Sequence, residues 1–301
     1  PDWLTNPKNK HRIQSQLEYL STAPRYAESE AQGKRLYRIG NTIYQVIRYQ
    51  QSHDQHGVFG LKFPQNSCNY QQMKRELRAC LADAFYIDAD MDNAHFRLLL
   101  DECEARGIAC TKIRHYVENR VVLLTTVMEG HKIGRGDAKQ AFIAILFAED
   151  GADPYRAFIA EFRLRYDEKT ATLINDLFEE AKSIRKHLLE QELAKGIHWA
   201  QRTNKDHRGA QFAVFMQTKC TKALGFLVQC IRDQSLRVDS LIHDGCHVRK
   251  EDGKEIDISV LNEAFKRQYK RGKIKIKPFE PTVNVDDFTD LLPYRHEFNN
   301  N

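Results

Sequence analysis

The sequence predicts an α+β fold, built from short strands that carry acidic residues and from long amphipathic helices between them. Two observations predict this class. A short apolar run at residues 85–87 leads to Asp88 and Asp90, and a second predicted strand at residues 236–242 leads to Asp244. The segments between these runs repeat apolar residues every three to four positions, which is typical of helices that bury one face.

Length and composition limit the class of protein. The chain has 301 residues, with 46 Lys and Arg against 41 Asp and Glu, so its formal net charge is only +5. A chain of this length forms one large domain or two to three subdomains. This charge balance does not by itself indicate a nucleic-acid binder. No apolar run approaches the roughly 18 residues that span a bilayer, so we expect no membrane partner.

The N-terminus and the cysteines bear on the origin of the chain. It shows no secretory signal and begins at Pro1 rather than Met, so we expect a piece of a longer protein. The seven cysteines are odd in number and form no C-x-x-C pair. That pattern favours reduced thiols over a disulfide framework or a zinc site. We therefore expect a cytoplasmic or nuclear protein in a reducing compartment.

The N-terminal part of the chain carries weak signals. In order, we expect a peripheral helix at 1–35, the strands of a hairpin at 36–39 and 42–48, a loop at 50–57 and an amphipathic helix at 70–81. Gly40 and Asn41 are suited to the two-residue turn of the hairpin. The helix leaves Lys74, Arg75 and Arg78 outward, either as a solvated face or as phosphate contacts.

The acidic segment at residues 85–97 is the first chemical signal. Carboxylates at the end of a buried strand are costly unless a cation meets them, and a divalent metal is the usual cation. The alternative is an ordinary strand end, in which Asp92 or Asn93 caps a helix that runs to Arg106 and stops at Gly107. Asp244 lies about 150 residues further on, also at a strand end, and two such aspartates are what a two-metal phosphoryl-transfer site needs.

Several helices are expected between the two acidic strands. They cover 111–128, a segment that begins at Asp137 after a loop at 130–136, 155–166 and 171–193. Lys139, Ile143 and Phe147 are spaced by four and therefore share one helical face, with Arg135 just before it. Such a face can hold a triphosphate at its basic end and stack a base at its aromatic end. The alternative is an ordinary core helix with a basic first turn, although cations disfavour helix N-termini.

The C-terminal part repeats the alternation of helix and strand. We expect a basic loop at 201–209, a helix at 211–233, a strand at 238–242, a tight turn at 243–245, a return strand at 246–249, a helix at 258–271, a strand at 273–279 with its lysines on one side, and an acidic, then polar tail from 281. The helix at 211–233 buries its phenylalanines. It leaves Gln217, Lys219 and Lys222 facing something polar.

The order of these motifs resembles the palm and fingers of family A DNA polymerases and of single-subunit phage-type RNA polymerases. It looks closer still to their divergent relatives encoded by transposons and viruses, some of them fused to a helicase. The hallmark of those relatives is a D-x-D-x-x-N-A-H pattern, matched here by Asp88, Asp90, Asn93, Ala94 and His95. From the residues alone, His95 can equally be a core histidine.

The resemblance implies a right-hand polymerase fold with an antiparallel-sheet palm and a mostly helical fingers subdomain. The expected divisions are an N-terminal, thumb-like region at 1–83, the first part of the palm at 84–110, the fingers at 111–210, the second part of the palm at 211–280 and a tail at 281–301. The palm would carry two catalytic aspartates, Asp88 and Asp244. They would bind two Mg²⁺ ions, with Mn²⁺ possible, and the Ala89 carbonyl and Asp90 would support them.

The remaining site residues follow from the same resemblance. Arg135 and Lys139 would contact the triphosphate, with Lys139 as the acid for pyrophosphate. Phe147, Ile143 and Asn93 would line the nucleotide pocket. Primer–template contacts would come from four residues: Gln217, His243, Lys219 and Lys222.

Three positions depart from the pattern of family A DNA polymerases. The fingers helix ends in Phe147-Ala148 instead of tyrosine-glycine, Gly245 replaces the glutamate after the His-Asp pair, and Asn93 stands where a glutamate screens the sugar 2′ position. The sugar preference therefore stays open. We expect a monomeric DNA-directed DNA polymerase acting on primer–template and nucleoside triphosphates, in replication or repair of a viral or mobile genome, with a fused or associated helicase or primase. The alternatives are an RNA polymerase or primase, and a non-catalytic nucleic-acid-binding module.

Overall fold

The computed structural model describes residues 75–199 and 208–279, together with residues 11, 14–16, 19, 36–39, 42–45, 49–54, 57–64 and 70–73. The described strands are β1 (Leu36–Ile39), β2 (Thr42–Gln45), β3 (Tyr49–Asp54), β4 (Gly57–Pro64), β5 (Tyr86–Met91), β6 (Val238–Ile242), β7 (Gly245–Arg249) and β8 (Ile274–Lys277). The described helices are α1 (Arg75–Ala82), α2 (Ala94–Ala105), α3 (Thr111–His131), α4 (Arg135–Phe147), α5 (Pro154–Glu161), α6 (Glu168–Ala194), α7 (Arg208–Asp233) and α8 (Ile258–Gln268). The chain is thus a mixture of helices and antiparallel sheet, as the sequence predicts.

A four-stranded antiparallel sheet holds the acidic residues. Its strand order is β6-β7-β5-β8, so β5 is an interior strand that pairs on both sides. Side chains alternate between the two faces of a strand. Ala89 and Met91 are buried in the core on one face, and Asp88 and Asp90 therefore share the opposite face.

The helices form the other part of the core. Helix α4 packs against α3 and α6, and the long α7 packs against α2, α4 and α6. Phe142, Ile145 and Leu146 of α4 are fully buried. Helix α3 is bent at Asn119, where φ is −112° and ψ is 23°. The bend falls one residue before Arg120, which reaches the acidic end of the sheet.

A second hairpin, β3–β4, lies against α7. Thr218 of α7 accepts a hydrogen bond from the Gly60 N–H at 2.8 Å, and the Thr221 hydroxyl donates to the Gly60 carbonyl at 2.9 Å. Both polar groups of one residue are therefore bound by one helix. Gly60 has a φ of +76°, a conformation that glycine adopts without steric cost.

The structure corrects several boundaries expected from the sequence. The predicted loop at 50–57 is wrong, because β3 runs through most of it and β4 begins at its end. Its polar sequence carries no strand signal, and packing against α7 supplies the stability instead. The predicted hairpin at 36–48 is confirmed, with the second strand ending at Gln45. The helix expected at 70–81 divides into a 3₁₀ turn at Tyr70–Gln72 and α1.

Three further boundaries shift. The loop expected at 130–136 shrinks, because α3 continues to His131 and α4 begins at Arg135. The helices expected at 155–166 and 258–271 end earlier, at Glu161 and Gln268. Most of residues 1–35, nearly all of the loop at 201–209, and the tail from 281 lie outside the described residues.

Two expectations about class are tested in the described part of the chain. The six cysteines described there are free thiols, as the odd count predicts. None of the described helices combines the length and the apolarity that a membrane span requires.

Candidate active site

Two carboxyl groups meet where the sheet and the β6–β7 turn come together. Asp90 stands opposite Gly245 across the β5–β7 pair, and the Met91 N–H donates to the Asp244 carbonyl oxygen at 3.2 Å. The two side chains lie close enough that each affects the pKa of the other. Burial, and then the nearby Asp244 charge, raise the pKa of Asp90 to about 6. Burial also raises the pKa of Asp244.

Gly245 is what allows this approach. A Cβ at this position would lie 2.7 Å from the Ala89 carbonyl oxygen and 3.2 Å from a carboxylate oxygen of Asp90. A larger residue would therefore push β7 away from β5 and separate the two acids. The same geometry turns the Ala89 carbonyl oxygen into the sheet, toward Gly245. A side chain such as glutamate has no room at this position.

Asp88 lies two residues back along β5, about 7 Å along the strand at the usual rise per residue. Its nearest basic neighbour is His247, at 3.9 Å between Nε2 and Oδ1. His247 is 1% exposed, and its Nδ1 lies 2.9 Å from the Tyr70 hydroxyl. Burial, and then the charge of Arg78, lower the pKa of His247 to about 4, so the ring is neutral at pH 7. Burial raises the pKa of Asp88 itself.

Of the two acids on β5, Asp90 is the one that interacts with Asp244. The resemblance puts Asp88 first as the metal ligand and Asp90 in support, and that order stays a prediction. Asp88 and Asp90 lie on the same face of β5 and in the same acidic segment, so the sequence alone does not distinguish them. The register of β5 against β7 decides between them, and register is not visible in the sequence.

A lysine occupies the cationic position beside the acid pair. Lys277 of β8 places its Nζ 2.5 Å from Asp90 Oδ2. No cluster of three or more His, Cys, Asp or Glu with metal-binding geometry occurs among the described residues. A pair of carboxylates still fits Mg²⁺, because that ion is usually held by one or two carboxylates plus substrate phosphates and water. Two neighbouring carboxyls whose pKa values are both raised are a site at which a divalent cation would relieve the repulsion.

Asp92 holds a second group of cations just after β5. Its carboxylate lies 2.6 Å from Lys275 Nζ, 3.2 Å from an Arg120 nitrogen and 3.4 Å from an Arg97 nitrogen. Burial acts to raise the pKa of Asp92, but the Lys275 hydrogen bond and the three charges outweigh it, so the pKa is lowered. Asp92 is therefore firmly ionised in the fold.

Helix α4 brings the expected triphosphate residues to this region. Lys139 is half-buried, and desolvation lowers its pKa, aided by the charges of Arg120, Lys277, Lys275 and Arg135. In the described part of the chain Lys139 has no ion-pair partner. Its charge in turn acts on Asp244. Lys139 therefore lies within electrostatic range of Asp244, and Arg135 begins the same helix.

The far end of α4 places Phe147 against His95 of α2. The two rings meet edge to face with centroids 5.5 Å apart. Arg185 of α6, fully buried, donates to the Ile145 and Leu146 carbonyls at 3.0 and 3.1 Å and pairs with Asp150 at 3.1 Å. These contacts satisfy carbonyls at the helix C-terminus, which would otherwise lack partners, and so fix the position of Phe147.

The other expected nucleotide residues differ in exposure. Ile143 is 43% exposed on α4, one turn before Phe147. Asn93 is the N-cap of α2, with a φ of 54°, and its side-chain nitrogen is buried without a hydrogen-bond partner among the described residues. The predicted capping position is therefore confirmed, but the side chain makes no capping hydrogen bond.

The residues expected on the primer–template side are more dispersed. His243 is exposed in the β6–β7 turn, Gln217 is half-buried on α7 and Lys222 is exposed on the same helix. Lys219 forms an ion pair with Glu102 at 2.5 Å, so its positive charge is neutralised within the protein. Sequence reasoning missed Arg120, because it stands in a β-branched helix with no periodic charge pattern.

Comparisons with known proteins extend this description. No family model matches the chain. It is 23% identical over 247 residues to the Sputnik virophage protein named "Putative helicase V13", covering 77% of this chain and 30% of that protein. The chain therefore spans less than a third of that relative. It is also similar to the solved POL domain of Pol1 from M. smegmatis in complex with DNA primer-template and dNTP, with a TM-score of 0.48, 13% identity, and coverage of 78% of this chain and 48% of that one.

Proposed function

We propose that this chain is a template-directed nucleotidyltransferase that extends a DNA primer with deoxynucleoside triphosphates. The observation that carries the proposal is the pair of buried Asp90 and half-buried Asp244, in electrostatic range of Lys139, which has no ion-pair partner among the described residues. A binding module has no reason to bury two acids that would repel DNA phosphates. An enzyme that transfers a phosphoryl group needs carboxylates for metal and cations for the triphosphate at one place.

Asp90 and Asp244 are the residues we propose for two Mg²⁺ ions, or Mn²⁺ in their place, with substrate oxygens completing the shell. When bound, these ions supply charge neutralisation at the phosphates and an acidified primer hydroxyl. Lys277 forms an ion pair with Asp90 at 2.5 Å. Asp88 is a supporting acid in this proposal, and the Ala89 carbonyl is left out because it faces Gly245.

The residues of α4 act on the triphosphate. In the proposed reaction the primer 3′-oxygen bonds to the α-phosphorus and gives its proton to water, and pyrophosphate leaves with the electrons of the broken P–O bond. Arg135 and Lys139 bind the departing phosphates. Lys139 can also give the pyrophosphate a proton, since burial and its cationic neighbours lower its pKa and make the ammonium a stronger acid.

The base and sugar of the nucleotide are proposed to lie at the other end of α4. Phe147 offers a ring for stacking, Ile143 an exposed apolar surface one turn earlier, and His95 an edge beside the ring. Asn93, whose side-chain nitrogen has no hydrogen-bond partner among the described residues, is proposed near the sugar. Ribonucleotide use is the alternative function, because no carboxylate occupies the position that would screen the 2′-hydroxyl.

The sheet and helices divide naturally under this proposal. The sheet β6-β7-β5-β8 with α2 and α7 is the palm, spanning 84–110 and 211–280, and α3 to α6 are the fingers at 111–210. Gln217, His243 and Lys222 are proposed to contact primer–template. The match to less than a third of a viral protein named as a helicase supports a replication module joined to a helicase.

Primer extension tests the proposal. The protein is mixed with a primed DNA template, Mg²⁺, and labelled deoxy- or ribonucleotides in separate reactions, beside an Asp244→Ala variant. Extension with deoxynucleotides that Asp244→Ala abolishes supports the proposal. Extension with ribonucleotides alone supports the RNA polymerase or primase alternative. Tight binding of the primed template with no extension by either nucleotide would leave a non-catalytic binding module.

A further inference from the structure

We propose that Arg97, Arg120 and Lys275, gathered around Asp92, form a second polyphosphate-binding wall opposite α4. This inference rests on the proposed function, because it assigns the site its second set of contacts to the nucleotide triphosphate. In this arrangement the triphosphate would extend from α4 to strand β8 of the sheet. Neither the motifs nor their resemblance to known polymerases assigns a role to Arg97, Arg120 or Asp92.

The first argument is the balance of charge. Three cations surround one carboxylate, at 2.6, 3.2 and 3.4 Å. They come from three separate elements: α2, the bend of α3 and β8. Asp92 cancels one positive charge, so the cluster keeps about two. Three cations held close together at an excess of charge repel each other, and a polyanion relieves that repulsion.

The second argument is unused hydrogen-bonding capacity. The Nε of Arg97, the Nε of Arg120 and the side-chain nitrogen of Asn93 are buried and have no partner in the described part of the chain. All three residues adjoin Asp92 in sequence or through the ion pairs above. Buried donors without partners cost free energy unless water or a ligand satisfies them. Arg97 also donates to the Arg271 carbonyl oxygen at 3.0 Å and Arg120 interacts with the Tyr116 hydroxyl, so the unused donors of the two guanidinium groups are their Nε–H groups.

The third argument is continuity with α4. Arg120 and Lys275 are among the charges that lower the pKa of Lys139. They therefore lie within electrostatic range of the expected triphosphate residue. The cluster also adjoins the acid pair, because Lys277, two residues after Lys275 on β8, contacts Asp90. A triphosphate that reaches Lys139 from the acid pair is thus within reach of Arg120 and Lys275.

Binding of inorganic tripolyphosphate tests the inference without any turnover. Calorimetric titration at low salt, without metal, compares the parent protein with Arg120→Ala and Lys275→Ala. We expect each variant to weaken binding about tenfold, since a hydrogen bond to a charged group contributes about that much. Lys275 has a 36% exposed side chain, so its truncation spares the core even if Arg120→Ala unfolds.

Lys254→Ala is the matched control. Lys254 forms a surface ion pair with Glu251 at 2.6 Å, the same separation as Lys275–Asp92, but lies outside the site. We expect parent-like affinity in this variant. Parent-like affinity in Lys275→Ala, or no tripolyphosphate binding by the parent, would overturn the inference. If the parent protein binds tripolyphosphate but does not extend a primer, the proposed function is wrong, whereas the binding site is not.

Discussion

Replacing Asp90 by Asn should stabilise the fold at alkaline pH while it removes activity. The pKa of Asp90 rises from the ordinary 3.8 to about 6. A carboxyl whose pKa is raised in the fold holds its proton more tightly there than in the unfolded chain. Keeping it ionised at pH 8 therefore costs about 3 kcal/mol, at 1.36 kcal/mol per pKa unit. Asn carries no charge and avoids that cost.

The pH dependence distinguishes this cause from a packing effect. The cost begins above the unfolded pKa near 4 and is complete above pH 6, so the gain from Asp90→Asn should approach 3 kcal/mol at pH 8. It should fall below about 1 kcal/mol at pH 4, where Asp90 is protonated in the fold and about half protonated in the unfolded chain. Lys277 loses its partner, but its side chain is 39% exposed and can be hydrated. Denaturant unfolding at the two pH values measures the difference.

Asp92→Asn is the control. Asp92 lies two residues from Asp90, and its pKa is shifted in the opposite direction. The pKa of Asp92 is lowered, because the Lys275 hydrogen bond and the cations outweigh burial. Its ionised form therefore stabilises the fold, and its removal should lower the free energy of unfolding at pH 8. If Asp90→Asn raised the free energy of unfolding equally at pH 4 and pH 8, or lowered it at pH 8, the claim that ionised Asp90 destabilises the fold would be refuted.

Three other changes test the surrounding structure. Phe147→Ala should raise the KM for the nucleotide about tenfold or more with a smaller change in kcat, because base stacking on an aromatic ring contributes about 1–3 kcal/mol. Phe162→Ala, which removes a phenylalanine outside the proposed site, is the control and should leave the KM unchanged. Arg185→Met should lower the free energy of unfolding by about 3 kcal/mol or more, since the last carbonyls of α4 lose their donor; a loss under 1 kcal/mol would contradict this. Gly245→Ala should cost about 1–3 kcal/mol in denaturant unfolding and abolish extension, because its Cβ would meet the Ala89 oxygen at 2.7 Å.

The sequence predicts the elements that carry strong periodic signals. The helix at α7, the strand β6 and the basic start of α4 are all visible from apolar spacing and charge. The hairpin β3–β4 is not, because β3 is polar and Gly60 of β4 is bound by hydroxyls of a helix about 160 residues away. Contacts at that separation leave no local trace in the chain.

The candidate site is predictable in composition but not in pairing. Asp88, Asp90 and Asp244 can be recognised as acids at strand ends, and Lys139 as the basic residue of a nucleotide helix. Which acid meets Asp244 depends on register and on the room that Gly245 leaves between two strands. Arg120 contacts Asp92 from just after the bend in α3, and no residue pattern predicts that bend.

Primer extension by Asp90→Asn and Asp88→Asn, side by side, tests the central claim most directly. Both changes remove one carboxylate from the same face of β5, and both conserve shape. The account predicts that Asp90→Asn abolishes extension, because it removes the partner of Asp244. It predicts that Asp88→Asn keeps activity within about tenfold of the parent, which is about 1.4 kcal/mol in the barrier. Loss of extension in Asp88→Asn with activity retained in Asp90→Asn would contradict it.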